Sequence, residues 1–323
     1  MINRTGQTRF EPADAVADKI TPPFDIAPHR RLYPFASHWL KAPGGYFYHY
    51  LDEGQGAPVV AVHGNPTWSF YYREIVKALS PSCRVIVPDH VGCGLSSRPT
   101  DEVFDYTVES HVDNLEALLD HLGLNSNVTL IVHDWGGMIG MACAARRPER
   151  FARIVILNTG AFLIPTEKTL PWQLSFIRHF PAIPALLVRG FNAFSYFATF
   201  LGVAKTMSGE VRDALTAPYD SWENRIATLR FVQDIPVYRS DKSYALVKWT
   251  DEHIHLLNHI PMMICWGMKD FVFDKIILAE WRRRFPEAEV HTFPQGGHYI
   301  LEDEGEAIVV LIKDFLKKHP LPE

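Results

Sequence analysis

Three side chains sit where the local sequence would aim reactive groups at one place: Asp134 in VTLIVHDWGGMIGMACA, Asp270 in ICWGMKD and His298 in HTFPQGGHYILED. In the first string an apolar, β-branched run enters His133, Asp134 and Trp135, two glycines follow, and small and apolar residues then continue with helical spacing. A strand that turns sharply into a helix strains its backbone and brings the helix close to the sheet, so the turn needs small neighbours. Gly136 and Gly137 supply them. The residue at such an elbow is placed as a nucleophile, and a carboxylate there attacks carbon to give an ester. Two features pull the other way: Val132 is larger than the residue usual at that position, and an Asp at a strand-helix junction also serves as an N-cap.

The other two residues follow in the order a nucleophile, acid and histidine triad requires. Asp270 comes just past the strand-like IPMMICWG, at the sheet edge where the functional side chains of open α/β sheets converge. His298 follows the last strand-like segment and two glycines that let the loop turn freely. Asp134, Asp270 and His298 are therefore the predicted catalytic set. Asp274 is the rival acid and is expected to cap the next helix. FARIVILN ends in Asn158, with no carboxylate at that alternative location for the acid. His133 and His63 are expected to make structural hydrogen bonds, and Asp89 in VPDHVGCG to tie down its glycine-rich turn.

The elements that must position these residues are legible. APVVAVHG, CRVIVPDH, VTLIVHD, FARIVILN, IPMMICWG and AEVHTF are short strand-like runs, most of them apolar on both faces. They alternate with helical patterns in FYYREIVKALS, TVESHVDNLEALLDHLGL, DKIILAEWRRRF and EGEAIVVLIKDFLKKH. This predicts an α/β fold, a mostly parallel sheet with helices on both faces. From about residue 160 to 236 the rhythm changes to Phe-, Trp- and Pro-containing helical segments. The reading is an N-terminal extension over 1–40, a core over 41–159 and 237–323, and an inserted helical cap over 160–236.

Composition narrows the function classes. Of 323 residues 47% are hydrophobic and the net charge is -5, which gives no electrostatic reason for a nucleic-acid partner. The four cysteines lack metal-ligand spacing and suit reduced, buried thiols. The polar first twenty residues hold no apolar stretch of signal-peptide type, so a cytoplasmic protein is expected. The uncharged run GFNAFSYFATFLGVA, 190–204, is shorter than the roughly 20 residues that span a bilayer and is expected to be a buried cap or core helix. A surface resting on a membrane is its other reading. Phe176, Phe180, Phe191, Phe194 and Trp222 suit either ordinary core or the lining of an acyl tunnel. Arg282, Arg283 and Arg284 read as a solvated helix end near the negative pole of its dipole.

HGNPTWSFYYR, VHDWGG and GMKD with GGHY resemble the haloalkane dehalogenase group of the α/β-hydrolase superfamily over roughly 45–319. The resemblance implies the α/β-hydrolase fold, the Asp134, Asp270 and His298 triad, and Asn65 with Trp135 as a pair of halide-holding donors. The longer strings PDHVGCGLSSRP, FNAFS, APYDSWENRIATLRFVQDIP and CWGMKDFVFD are similar to the β-lactone decarboxylases of bacterial long-chain olefin biosynthesis, a dehalogenase-related family. That implies conversion of a long-chain cis-β-lactone to a cis-olefin and carbon dioxide. It also implies a hydrophobic small-molecule substrate and, as partners, the β-lactone-forming ligase and reductase of the same pathway. An amide N–H and an indole N–H hold a departing anion without neutralising the nucleophile, and a halide and a lactone carboxylate both depart as anions. No cofactor and no metal is expected. Epoxide hydrolysis is the third reading: it calls for cap tyrosines, for which Tyr196, Tyr219 and Tyr238 are the candidates, while Asn65 argues against it.

Overall fold

The computed structural model describes residues 10–12, 20–180 and 182–321. Its sheet has nine strands in the order β1-β2-β3-β5-β4-β6-β7-β8-β9. The strands are β1 Glu11–Pro12, β2 His38–Lys41, β3 Phe47–Glu53, β4 Ala57–Val62, β5 Cys83–Pro88, β6 Val128–Asp134, β7 Phe151–Thr159, β8 Met262–Gly267 and β9 Glu289–Phe293. From β5 through β4, β6, β7 and β8 to β9 every pairing is parallel, and β1, β2 and β3 add antiparallel pairings at one side. β2 straddles position 40 within the stretch read as an extension; four residues with polar ends are too few for alternation to reveal a strand.

Successive strand side chains divide between two cores. Val60, Val62, Leu130, Val132, Ile154 and Ile156 pack with helices α2 Val108–His121 and α3 Trp135–Arg146. Val59, Ala61, Ile131, Val155 and Leu157 pack on the other face with α1 Arg73–Leu79 and, at the far end of the chain, the helix Ile300–Lys318. This is why the strands read as apolar throughout: both faces are covered. α2 starts on Thr107, whose hydroxyl accepts from Ser110 N at 3.3 Å, and gives way to the left-handed Gly123.

Between β7 and β8 the described residues form only helices and turns: α4 Trp172–His179, α5 Ala182–Ala185, a π-helical turn Leu186–Gly190, α6 Ala193–Leu201, α7 Gly209–Thr216, α8 Ile226–Gln233 and α9 Tyr244–His253. α10 Lys275–Arg284 and α11 Ile300–Lys318 complete the chain. Arg282 and Arg283 are exposed in the last turn of α10, whereas Arg284 pairs with Asp251 at 2.6 Å.

α6 corrects the expectation of a buried greasy helix. Its buried face is Ser195 and Thr199, while Tyr196, Phe197, Phe200 and Leu201 are exposed. The small face and Gly202 let the backbone approach closely: Gly202 O accepts from Tyr299 N at 2.7 Å, and a Cβ on Gly202 would sit 3.2 Å from the Tyr299 ring. Among the described residues no helix is long and apolar enough to cross a membrane.

Candidate active site

β6 ends at Asp134 with φ 51° and ψ -126°, a strained geometry for a residue with a Cβ. The Asp134 side chain makes no capping bond to α3, so the simple N-cap reading fails. The two glycines are required by space: a Cβ on Gly136 would lie 1.9 Å from Val62 O, and one on Gly137 1.8 Å from Thr159 Oγ1. Thr159 fixes the turn by donating its hydroxyl to Asp134 O. The loop after β4 lies directly against the carboxylate, where a Cβ on Gly64 would meet Asp134 Oδ1 at 2.0 Å. Asn65 N donates to that oxygen at 2.6 Å, and the backbone N–H of Trp135 also favours the charged carboxylate electrostatically.

The structure brings the three predicted side chains together. His298 Nε2 is 3.5 Å from Asp134 Oδ2, and its Nδ1 is 2.9 Å from Asp270 Oδ2. All three are buried. Asp270 is gripped from several sides: Val272 N and Phe273 N donate to Oδ1 at 2.7 and 3.0 Å, and Asn158 Nδ2 donates to Oδ2 at 3.0 Å. In the sequence Asn158 marks only the lack of an acid at the end of β7; its contact with Asp270 arises from the pairing of β7 with β8. The available signal was an amide at the end of the strand beside the one that precedes Asp270.

Burial pushes the Asp134 pKa up; the His298 charge and the two backbone N–H groups oppose it, and it settles above the ordinary carboxylate value. Burial alone would lower His298, but Asp270 and then Asp134 outweigh it and hold the imidazole above its ordinary value. His298 thus lies between two carboxylates in a dry setting, with Asp270 fixing the ring.

The neighbouring polar residues take structural roles. Asp274 caps α10, accepting from Ile276 N at 2.9 Å, and pairs with Lys168 at 2.8 Å, away from His298. His133, held neutral by burial, pairs its Nε2 with His298 O at 2.8 Å. His63 Nε2 accepts from His90 N at 2.9 Å, and its Nδ1 meets Gly64 O at 2.7 Å. Asp89 accepts from Ser69 N at 2.6 Å and Leu95 N at 2.8 Å, tying down its turn.

Asp134, Asn65, Trp135 and His298 border one cavity of about 710 Å³, otherwise walled mostly by apolar residues of α4, α6, α8 and the π-helical turn. Asn65 Nδ2 donates one hydrogen to Thr228 O of α8 at 3.2 Å, which leaves its second N–H free. Trp135 packs against Phe231 at 5.2 Å, and among the described residues its indole N–H has no acceptor. Of the five aromatics considered for a tunnel, Phe176 and Phe194 border the cavity; Phe180, Phe191 and Trp222 do not, and are exposed. None of Tyr196, Tyr219 and Tyr238 borders it: Tyr219 is buried with its hydroxyl 3.3 Å from Thr67 O, and the other two face outward. Two residues with uncharged N–H groups thus border the cavity, and none of those three tyrosines does.

A parallel sheet carrying a strained acidic elbow, with an acid and a histidine at neighbouring strand ends, defines a class of enzymes with a carboxylate in the nucleophile position. Residues 57–305 match the alpha/beta hydrolase fold family, and the chain belongs to it. The chain is 53% identical over 286 residues to a cis-3-alkyl-4-alkyloxetan-2-one decarboxylase of Shewanella oneidensis, spanning 88% of this chain and 89% of that one. It is 45% identical over 296 residues to a protein of the same name from Xanthomonas campestris pv. campestris, spanning 90% and 98%. Among solved structures it is similar to a haloalkane dehalogenase of Bradyrhizobium elkani, with a TM-score of 0.75 and 26% identity over 85% of this chain and 95% of that one.

Proposed function

We propose that this enzyme decarboxylates a long-chain cis-3,4-dialkyl β-lactone to a cis-olefin, with Asp134 as nucleophile, His298 and Asp270 as its support, and Asn65 and Trp135 as the anion donors. The observation that carries the reading is the Asp134 carboxylate at the border of an apolar cavity, beside two uncharged donors. Asp134 attacks the ring carbon that bears oxygen, with inversion; that carbon–oxygen bond breaks, and the released carboxylate is held by Asn65 and Trp135. The bond to the carboxylate carbon then breaks, its electron pair forms the double bond, and the Asp134 ester departs as carboxylate. Carbon dioxide leaves, and no water is consumed. His298 takes no proton in this cycle and, held by Asp270, lies beside the Asp134 carboxylate as a positioning group.

In this reading residues 41–159 and 237–323 form the catalytic core and 160–236 the cap that supplies the acyl surface. The site works in the cytoplasm beside the ligase that forms the β-lactone and the reductase of the same pathway. Product analysis with a long-chain cis-β-lactone tests the proposal: the expected product is the cis-olefin, and a β-hydroxy acid alone would overturn it. Hydrolysis of alkyl halides is the second reading, favoured by the same donor pair; there His298 activates water against the Asp134 ester.

A further inference from the structure

We infer that the exposed apolar face of the cap is a docking surface for a phospholipid bilayer, with the cavity mouth turned toward the lipid so that a long-chain substrate enters without crossing water. The inference rests on the decarboxylase reading only for the lipid-like nature of that substrate.

The side chains on α6 run opposite to those of an ordinary surface helix, with hydroxyls inward and aromatic rings outward. Next to it Ile183 is 60% exposed and Phe191 72% exposed, so the apolar face extends beyond one helix. Trp172, Leu187, Phe197 and Leu201 are exposed and also border the cavity, which places the mouth within this face. A protein partner seated there would close the mouth to substrate, whereas a lipid phase would supply it. Charge agrees: all 37 Asp and Glu residues lie outside 168–209, so anionic headgroups over this stretch meet no carboxylate from it. Trp172 and Tyr196 are of the aromatic type that settles at headgroup depth. An interfacial face of this kind needs no spanning helix.

The test is flotation of the full chain with vesicles of phosphatidylcholine containing a minority of phosphatidylglycerol. It compares the parent protein with the triple variant Ile183→Ser, Phe191→Ser, Tyr196→Ser, none of which borders the cavity. The parent should float, and the variant's bound fraction should fall about tenfold or more, because each substitution removes apolar surface otherwise buried in lipid. An unchanged melting curve and unchanged turnover of detergent-dispersed β-lactone would locate the loss at the surface. Asp134→Asn should float like the parent whether or not decarboxylation is the reaction, which separates this inference from the catalytic one. A parent that stays with the unbound protein, or a triple variant that floats equally, overturns it. So does sedimentation showing a parent oligomer that the triple variant resolves to monomers without any lipid binding, because the face would then be a protein interface.

Discussion

Asn158 Nδ2 donates to Asp270 Oδ2 at 3.0 Å, the same oxygen that His298 Nδ1 meets at 2.9 Å. Asn158 also accepts from Gly267 N at 2.7 Å, so one amide joins the ends of β7 and β8 and orients the acid. Asn158→Ala should lower turnover less than Asp270→Asn while costing about 1–3 kcal/mol of stability through the unpaired groups left behind. Denaturant unfolding beside steady-state rates checks both halves. A variant with full stability and full rate would remove the positioning role.

The two acids of KDFVFD should separate cleanly. Asp270→Asn disturbs imidazole orientation, and hydrolytic turnover of an alkyl halide should fall by up to about ten-thousand-fold, by analogy with the serine triads. Asp274→Asn keeps a capping side chain and loses only a partly exposed ion pair, so its effect should be small. If Asp274→Asn is the more damaging in rate assays, the acid is wrongly assigned.

Asn65→Ala and Trp135→Phe should each remove about 2.7–4 kcal/mol of transition-state stabilisation, the loss typical of one oxyanion donor. The loss should show in kcat. A rise in KM alone, with kcat unchanged, would instead make these residues packing groups.

The two ionisations give the reactions different pH profiles. Asp134 attacks as carboxylate, so ester formation is present above its raised pKa and is lost as pH falls through it, starting above the ordinary carboxylate range. Activation of water needs neutral His298, so hydrolysis is lost as pH falls through the raised imidazole pKa, above the ordinary histidine value. Olefin formation needs no general base and should stay level across the His298 ionisation while alkyl halide hydrolysis declines. Parallel profiles for the two substrates would show that His298 acts as a base in both.

The site was legible in the sequence where local chemistry dictated it. Asp134, Asp270 and His298 each follow a strand pattern, and Gly136 and Gly137 mark the close approach of α3 to the sheet. What stayed hidden depends on contacts between distant segments. Asn158 is distinctive only because β7 lies beside β8. Hydropathy marks α6 as apolar but cannot say which way its rings point; that depends on Ser195 and Thr199 being buried and on Gly202 packing close to Tyr299. Phe191 and Trp222 were likewise apolar without being internal.

The most direct test of attack by Asp134 without hydrolysis is mass spectrometry of the Asp134 peptide and the products after many turnovers of a cis-β-lactone in oxygen-18 water. Inversion at the oxygen-bearing carbon, followed by anti loss of carbon dioxide and Asp134, brings no water oxygen into the covalent cycle. The expected result is cis-olefin with an unlabelled Asp134, while hydrolysis of an alkyl halide by the same protein labels that carboxylate. A β-hydroxy acid as sole product, with oxygen-18 in Asp134, would contradict it.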